Sequence, residues 1–477
     1  MSVAFIMILT LFTAVISKGL RPTPLTDGSV CECVGEVINC RDRDFSFVEP
    51  FEFHSNQAEF TTLDLSNNRL SDLGRSVFSP LEVSTLNLSS NNISHVQADV
   101  FNGLQRYLRR IDISHNRLHT LPDMSQCLYV QFVDVHDNPI DGSLTAGVQA
   151  SSNEEGFLDH VMRALGRTIE ELTFGHETML QHWPKTLDHL QRLKKLSIIG
   201  LNIDMLFTGS FHGYEYTLKS LRITNAKLQQ IPVDIGHFHL LEELSFSTIV
   251  PKYDLGIHIL LDQPFQTLNE TLKVLSLENN SFTEIPSQIR FLTSLQTLSL
   301  NGNPIESIAD ESISFLRRTN LSDLSLANCH LKRIPNQLGH IATLCKLDFS
   351  FNKISVIESG DLSNAGQLHT LSLKGNPLQF IGRAEFFGLN SLTTVDLSDT
   401  LLSEFPRAVQ NLPNVKLINL AGTRIECICN MRWVFTWIEM FQKTTLEIVG
   451  NCESIDQSLQ DYIKIRLKTC PGPGILG

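Results

Sequence analysis

The chain has 477 residues, with 38 Lys+Arg against 51 Asp+Glu and a formal net charge of -13. That balance argues against nucleic acid or an anionic membrane surface as the main partner. Hydrophobic residues make up 42% and no low-complexity tract interrupts them, so a continuous core is affordable and extensive disorder is not indicated.

An apolar run from Val3 to Ile16 precedes Ser17-Lys18-Gly19. Residues 1–17 read as a secretory signal peptide with small residues near a cleavage point, although only the terminal amine supplies positive charge ahead of the run. The run is shorter than the ~20 residues a membrane-spanning helix requires. Cys31-Glu32-Cys33 and Cys40 follow at the spacing Cys-x-Cys-x6-Cys.

From about Ala58 one phrase recurs. It stands as Thr62-Leu-Asp-Leu-Ser-Asn-Asn-Arg-Leu70, as Leu295-Gln-Thr-Leu-Ser-Leu-Asn-Gly-Asn-Pro-Ile305, as Leu344-Cys-Lys-Leu-Asp-Phe-Ser-Phe-Asn-Lys-Ile354 and as Leu368-His-Thr-Leu-Ser-Leu-Lys-Gly-Asn-Pro-Leu378. Fixed-period self-similarity takes precedence over other features. The pattern Leu-x-x-Leu-x-Leu-x-x-Asn-x-Leu resembles the leucine-rich repeat family. The register residues are Leu63, Leu86, Ile111, Val133, Leu172, Leu196, Leu221, Leu244, Leu275, Leu298, Leu324, Leu347, Leu371, Val395 and Ile418, about 15 repeats over residues 58–426. Most steps are 22 to 26 residues. Two longer steps contain Ala150–Gly156 and Val250–Gly256, loop-like stretches that a solenoid places on one face.

Each repeat implies a short strand with apolar residues inward and a return segment that buries nothing alone, so neighbours must stack. The Asn of the phrase carries a carboxamide that both donates and accepts, suited to satisfying backbone groups where the chain leaves the strand. Asn68, Asn91, Asn116, Asn138, Asn280, Asn303, Asn352 and Asn376 hold this column, with Cys329 once and Thr400 and Thr423 near the end. Glu177, Leu201 and Ala226 break it, so the repeats from Leu172 to Leu244 fit least well and a local change of curvature is expected there. In return segments, Phe101 and the Phe386 pair are expected to fill the core. Pro232, Pro286, Pro335 and Pro406 fix turns and forbid regular helix.

Cys427-Ile-Cys429, Cys452 and Cys470 close the array, beside Asn430-Met-Arg-Trp433 and Trp437. Met431, Val434, Ile438 and Phe441 recur at helical steps and predict the apolar face of a capping helix. Four such cysteines could also ligate zinc, but a secreted chain favours disulfides.

The resemblance is to extracellular leucine-rich repeat proteins with cysteine-rich caps, a group that includes Toll-like receptor ectodomains, Slit-type guidance ligands and small matrix proteoglycans. It implies an α/β solenoid, a curved horseshoe with a parallel β-sheet on its concave face and irregular or short helical segments on the convex one. It implies caps at 31–57 and 427–470, a short tail at 471–477, and pairing of Cys31 with Cys40, Cys427 with Cys452 and Cys429 with Cys470. The usual further cysteine ahead of Cys31 is missing, which leaves Cys33 without its family partner.

No catalytic constellation is present in the sequence. His115 and His119 flank a turn rather than share a helix face, and His176-Glu177 lacks the second His of a zinc hydrolase motif. No catalytic residue, metal site or cofactor is therefore expected. Five glycosylation sequons begin at Asn87, Asn92, Asn269, Asn279 and Asn320. Asn87 lies between inward leucines, so a glycan there would obstruct that end of the concave face. Lys194, Lys195, Lys219 and Arg222 form a basic island beside the irregular repeats and are the expected partner contacts. Cys127, Cys329, Cys345 and Cys33 are left without assigned pairs, which leaves open a disulfide-linked or non-covalent homodimer. The expectation is a secreted, non-catalytic module that binds an extracellular protein through the concave face, with a matrix component binding fibrous polymers as the alternative. No transmembrane segment and no nucleic-acid partner are expected.

Overall fold

A computed structural model describes residues 31–48, 60–79, 81–140, 159–248, 257, 260–335, 337–358, 360–442 and 445–470. The proposed signal peptide, both insertion loops at 150–156 and 250–256, and the tail at 471–477 lie outside these residues. The chain divides into two compact units, one of residues 1–200 with 212–214 and one of residues 201–211 with 215–477.

The first unit opens with β1 (Glu32–Val34) and β2 (Val37–Asn39), an antiparallel pair. Parallel strands follow in sequence order: β3 (Thr62–Asp64), β4 (Thr85–Asn87), β5 (Arg110–Asp112), β6 (Phe132–Asp134) and β7 (Glu171–Leu180). β8 (Lys195–Leu201) joins through Lys195 N–H donating to Glu170 O at 2.9 Å. The second unit repeats the plan with β9 (Ser220–Ala226), β10 (Glu243–Thr248), β11 (Val274–Ser276), β12 (Thr297–Ser299), β13 (Asp323–Ser325) and β14 (Lys346–Asp348). A two-residue ladder of β15 (Val356–Ile357) with β17 (Phe380–Ile381) lies outside the main sheet. The main sheet continues through β16 (Thr370–Ser372), β18 (Thr394–Asp396), β19 (Leu417–Asn419) and β20 (Glu447–Val449), all in parallel pairing.

The strands obey a simple alternation. In β4, Leu86 is fully buried while Thr85 and Asn87 face outward, and Leu63, Leu275, Leu298, Leu347 and Leu371 are buried in the same way. Complete burial of each such side chain stabilises by about 1.5–3 kcal/mol. Because register pairs Leu with Leu from strand to strand, the buried column is continuous within each unit.

The Asn column holds the turns. Asn352 Nδ2 donates to Leu326 O, Phe349 O and Ser350 O at 2.8, 3.0 and 3.2 Å, and its Oδ1 accepts the N–H of Cys329 and of Leu331 at 3.0 and 2.9 Å. Asn68, Asn116, Asn138, Asn303 and Asn376 make the same reach back to the preceding repeat. Each Asn thus bonds two repeats together where backbone groups would otherwise be buried unpaired. Cys329 substitutes with a weak Sγ–H bond to Leu300 O at 3.1 Å. Thr400 and Thr423 both donate to Leu397 O at 2.9 Å.

Where the Asn is missing, the strand runs on. β7 is 10 residues long, β8 and β9 are 7 and β10 is 6, against three for most others. Without a carboxamide to close the turn, the backbone satisfies itself by further strand pairing. The irregular repeats singled out in sequence are therefore those with long strands.

The return segments are short. Pro232, Pro286 and Pro406 each immediately precede a five-residue 3₁₀ helix, as a fixed φ and a missing N–H favour. Among the described residues of these segments, regular helix is confined to α1 (Asp159–Leu165), α2 (Asp262–Thr267) and α3 (Asp310–Leu316). Phe101 and Phe386 are buried as expected, whereas Phe387 is 76% exposed.

Disulfides close the ends: Cys31–Cys40, Cys427–Cys452 and Cys429–Cys470 all form. β2 covers the edge of β3, and β20 covers that of β19. The capping helix α4 (Arg432–Met440) differs from expectation at two positions, Ile438, which is only half-buried, and Phe441. Met431, Val434 and Trp437 are buried, but Phe441 is 63% exposed because the helix ends at Met440 and the periodic face ends with it.

Cys127 and Cys329 are unpaired and buried, and Cys345 is partly exposed. Burial pushes the Cys127 thiol up to about 12 and the Cys329 thiol up to about 11. Since the thiolate is the nucleophile, alkylation of the native chain at pH 8 should modify Cys345 and spare Cys127 and Cys329. Peptide mapping checks this; labelling of either buried thiol before unfolding would contradict it.

Candidate recognition face

In each unit the outward side of the strands is a surface to which every described strand of the main sheet contributes. Its central row reads Asp64, Asn87, Asp112, Asp134, Thr173 and Ser197 in the first unit. In the second it reads Arg222, Ser245, Ser276, Ser299, Ser325, Asp348, Ser372, Asp396 and Asn419. The acidic members have a local task. Oδ1 of Asp64, Asp112, Asp348 and Asp396 accepts the backbone N–H two residues on at 2.9 Å, and Asn87 and Asn419 do the same at 3.0 and 3.1 Å. These Asx turns start the exit from the strand, so Asp and Asn in this row are accounted for by the fold.

The expected basic island is locally neutralised. Lys194 and Lys195 in the first unit pair with Glu170 and Glu171 at 2.7 and 3.1 Å. In the second unit Glu242 lies 3.8 Å from Lys219 and 2.8 Å from Lys273, whose ammonium groups hold its carboxyl below the usual range. Arg222 is exposed on β9, and among the described residues no carboxylate pairs with it.

The informative position is the residue just before the Asn column. It adopts left-handed φ in repeat after repeat: Asn67, Ser90, Asp137, Asn279, Asn328 and Asp399, with glycine at Gly302, Gly375 and Gly422. Asn, Asp and Gly tolerate this conformation; bulky residues do so at a cost. Phe351 at φ 54° is the bulky exception in this row; Ser90 at φ 55° and His115 at φ 54° are also neither Asn, Asp nor Gly, but His, like Asn and Asp, is enriched in this conformation. A residue type that the backbone disfavours, held at an exposed point, directs attention to function. Phe351 stands in the sequence as Ser-Phe-Asn, and His115, weighed above only with His119, as Ser-His-Asn, where sister repeats have Gly-Asn, Asn-Asn or Asp-Asn.

Phe351 is 54% exposed. Its ring occupies the space that a side chain at Gly375 of the next repeat would fill. The Lys374 ammonium lies 5.7 Å from the ring centroid and 3.6 Å from Asp399 Oδ2. An aromatic plate, a cation and a carboxylate therefore stand in line across three repeats. In the first unit the Arg110 guanidinium covers the Phe132 ring at 4.1 Å. Beyond the ends of the same two strands, His115, His136 and Asp137 converge, with His115 Nδ1 2.9 Å from Asp137 Oδ2. Among the sequon residues, Asn92, Asn279 and Asn320 are exposed, while Asn87 and Asn269 are partly covered.

Two family profiles match the chain: a leucine rich repeat at residues 58–118, 81–140 and 366–425, and a two-copy leucine rich repeat at residues 270–315. Together with the strand register, the Asn column and the three cap disulfides, this decides the family. The chain is a leucine-rich repeat protein with disulfide-capped ends. It is 28% identical over 233 residues to human leucine-rich repeat-containing protein 66, covering 44% of this chain and 25% of that protein. It is 29% identical over 403 residues to chaoptin of Tribolium castaneum, covering 69% of this chain and 48% of chaoptin. The chain thus spans less than half the length of these relatives. A leucine-rich repeat protein of Leptospira interrogans shares the fold with a TM-score of 0.53 at 20% identity, covering 82% of this chain and 84% of that one. Repeat arrays of this kind serve protein interaction, and neither matching profile is that of an enzyme. The disulfide caps point to an extracellular setting. No helix among the described residues is long and apolar enough to cross a membrane.

If Phe351 is held against its conformational preference, Phe351→Asn should raise stability by about 1 kcal/mol, since Asn suits the left-handed turn. Urea unfolding checks this; a loss of stability would instead mean that the ring contributes more by packing than its backbone costs.

Proposed function

We propose that this protein is a secreted, non-catalytic recognition module that binds an extracellular protein partner through the outward face of its strands. The observation that carries this reading is Phe351, an exposed aromatic in a disfavoured conformation, flanked by Lys374 and Asp399. Binding surfaces concentrate energy in a few aromatic and charged anchors surrounded by near-neutral contacts. The Asx-turn carboxylates and hydroxylated rows supply that surround. Arg222 is the member of the basic set best suited to an anchor, because Lys194, Lys195 and Lys219 already face carboxylates. The reading includes removal of residues 1–17, caps at 31–57 and 427–470, repeats over 58–426, and glycans at some of Asn87, Asn92, Asn269, Asn279 and Asn320.

The test is a binding screen of the secreted chain against extracellular ectodomains and matrix polymers. A saturable protein hit should weaken at least tenfold in Phe351→Asn, and by a similar factor in Arg222→Glu if both anchors lie under one partner. Binding confined to fibrous polymers and indifferent to both changes would favour a matrix component and overturn this reading.

A further inference from the structure

The first unit carries a cluster that the recognition reading does not use. His115 and Asp137 occupy the same turn position in successive repeats, both with left-handed φ, 54° and 51°, so the pairing of β5 with β6 sets their side chains against each other. His115 Nδ1 is 2.9 Å from Asp137 Oδ2, and His136 Nε2 is 4.0 Å from the same oxygen. The two imidazoles meet edge to face with centroids 4.6 Å apart. One donor atom from each of the three residues lies within 4.8 Å of the others.

The orientation of His136 is fixed from behind. Its Nδ1 lies 2.6 Å from Asp134 Oδ1, and the same oxygen accepts the His136 backbone N–H at 3.1 Å. With Nδ1 held by that carboxylate, Nε2 is the ring nitrogen left on the side of Asp137. A carboxylate behind an imidazole is the arrangement that orients metal-binding histidines. Asp134 is itself anchored on β6 as the residue that begins the turn, so the support is part of the fold.

We propose that His115 Nδ1, His136 Nε2 and Asp137 Oδ2 form a binding site for a divalent transition metal of the zinc class. Imidazole with one carboxylate suits zinc, copper or nickel, whereas calcium and magnesium call for oxygen ligands throughout. Donor atoms around tetrahedral zinc lie about 3.3 Å apart, given bonds of about 2.0 Å. A rotation of the exposed His115 side chain, 51% accessible, and of the Asp137 carboxyl closes the remaining distance. On binding, the proton shared between His115 Nδ1 and Asp137 Oδ2 leaves to solvent and the metal takes its place. The fourth position faces water. His119, noted in sequence as the nearest companion of His115, takes no part; the stacking of repeats supplies His136 instead.

The experiment is calorimetric titration of the secreted chain with zinc chloride, with cobalt(II) visible absorption as a second readout. Wild type should take up one equivalent that is lost in His115→Asn, a substitution the left-handed turn accommodates. Asp137→Asn should lose it too, and Asp134→Asn should weaken it ten- to a hundredfold, as the loss of an orienting carboxylate does. His119→Asn should leave it unchanged. Unaltered unfolding curves of the variants separate metal loss from misfolding. Absence of a saturable equivalent in wild type, or an equivalent undiminished in His115→Asn and Asp137→Asn, would overturn the proposal. No partner protein enters this test, so it fails or succeeds apart from the recognition reading.

Discussion

The carboxamide ladder is the interaction on which the rest of this structure depends. A leucine column explains why repeats stack, but hydrophobic burial is non-directional and would tolerate slippage. The Asn of each repeat donates to carbonyls of its own and the preceding turn and accepts an N–H from the preceding repeat's return segment. It bonds the turn where the chain leaves the strand, and the residue before it takes the left-handed conformation, as Gly200 and Asn225 also do ahead of Leu201 and Ala226. Phe351 and His115 are displayed at that position, immediately before Asn352 and Asn116.

The exceptions follow the same logic. Cys329, with Leu300 O and Ala327 O as partners, and Thr400 and Thr423, each bonded to Leu397 O, keep the turn. Glu177, Leu201 and Ala226 offer no equivalent group, and there the strands lengthen to satisfy the backbone by pairing. The break between the two compact units falls in this same stretch.

Most of the fold was legible in the sequence because the repeat is written in it. Period, register, the Asn column, the short turns at proline and the three cap disulfides all follow from residue spacing and family resemblance. Phe441 was not legible, since helical periodicity does not say where a helix stops. The surroundings of the candidate surface residues were legible only in part, for a physical reason. A basic cluster in sequence carries no record of Glu170, Glu171 and Glu242, which come from adjacent repeats and neutralise it. The His115–His136–Asp137 cluster is likewise invisible to a search for helical spacing, because its members are brought together by stacking across one repeat length. What could have been read is the turn position itself, where His and Phe stand among Asn, Asp and Gly.

Hydrogen exchange tests the ladder most directly. The amides of Ile93, Leu118, Leu331 and Ile354 donate to Asn116, Asn138 and Asn352 or Asn376 and have no strand partner to protect them. If the carboxamides hold the turns, these amides should exchange as slowly as the buried strand amides and open only with them. Exchange at the rate of exposed loops in the native chain would mean that the leucine column alone sets the register, and the account of the display positions would fall with it.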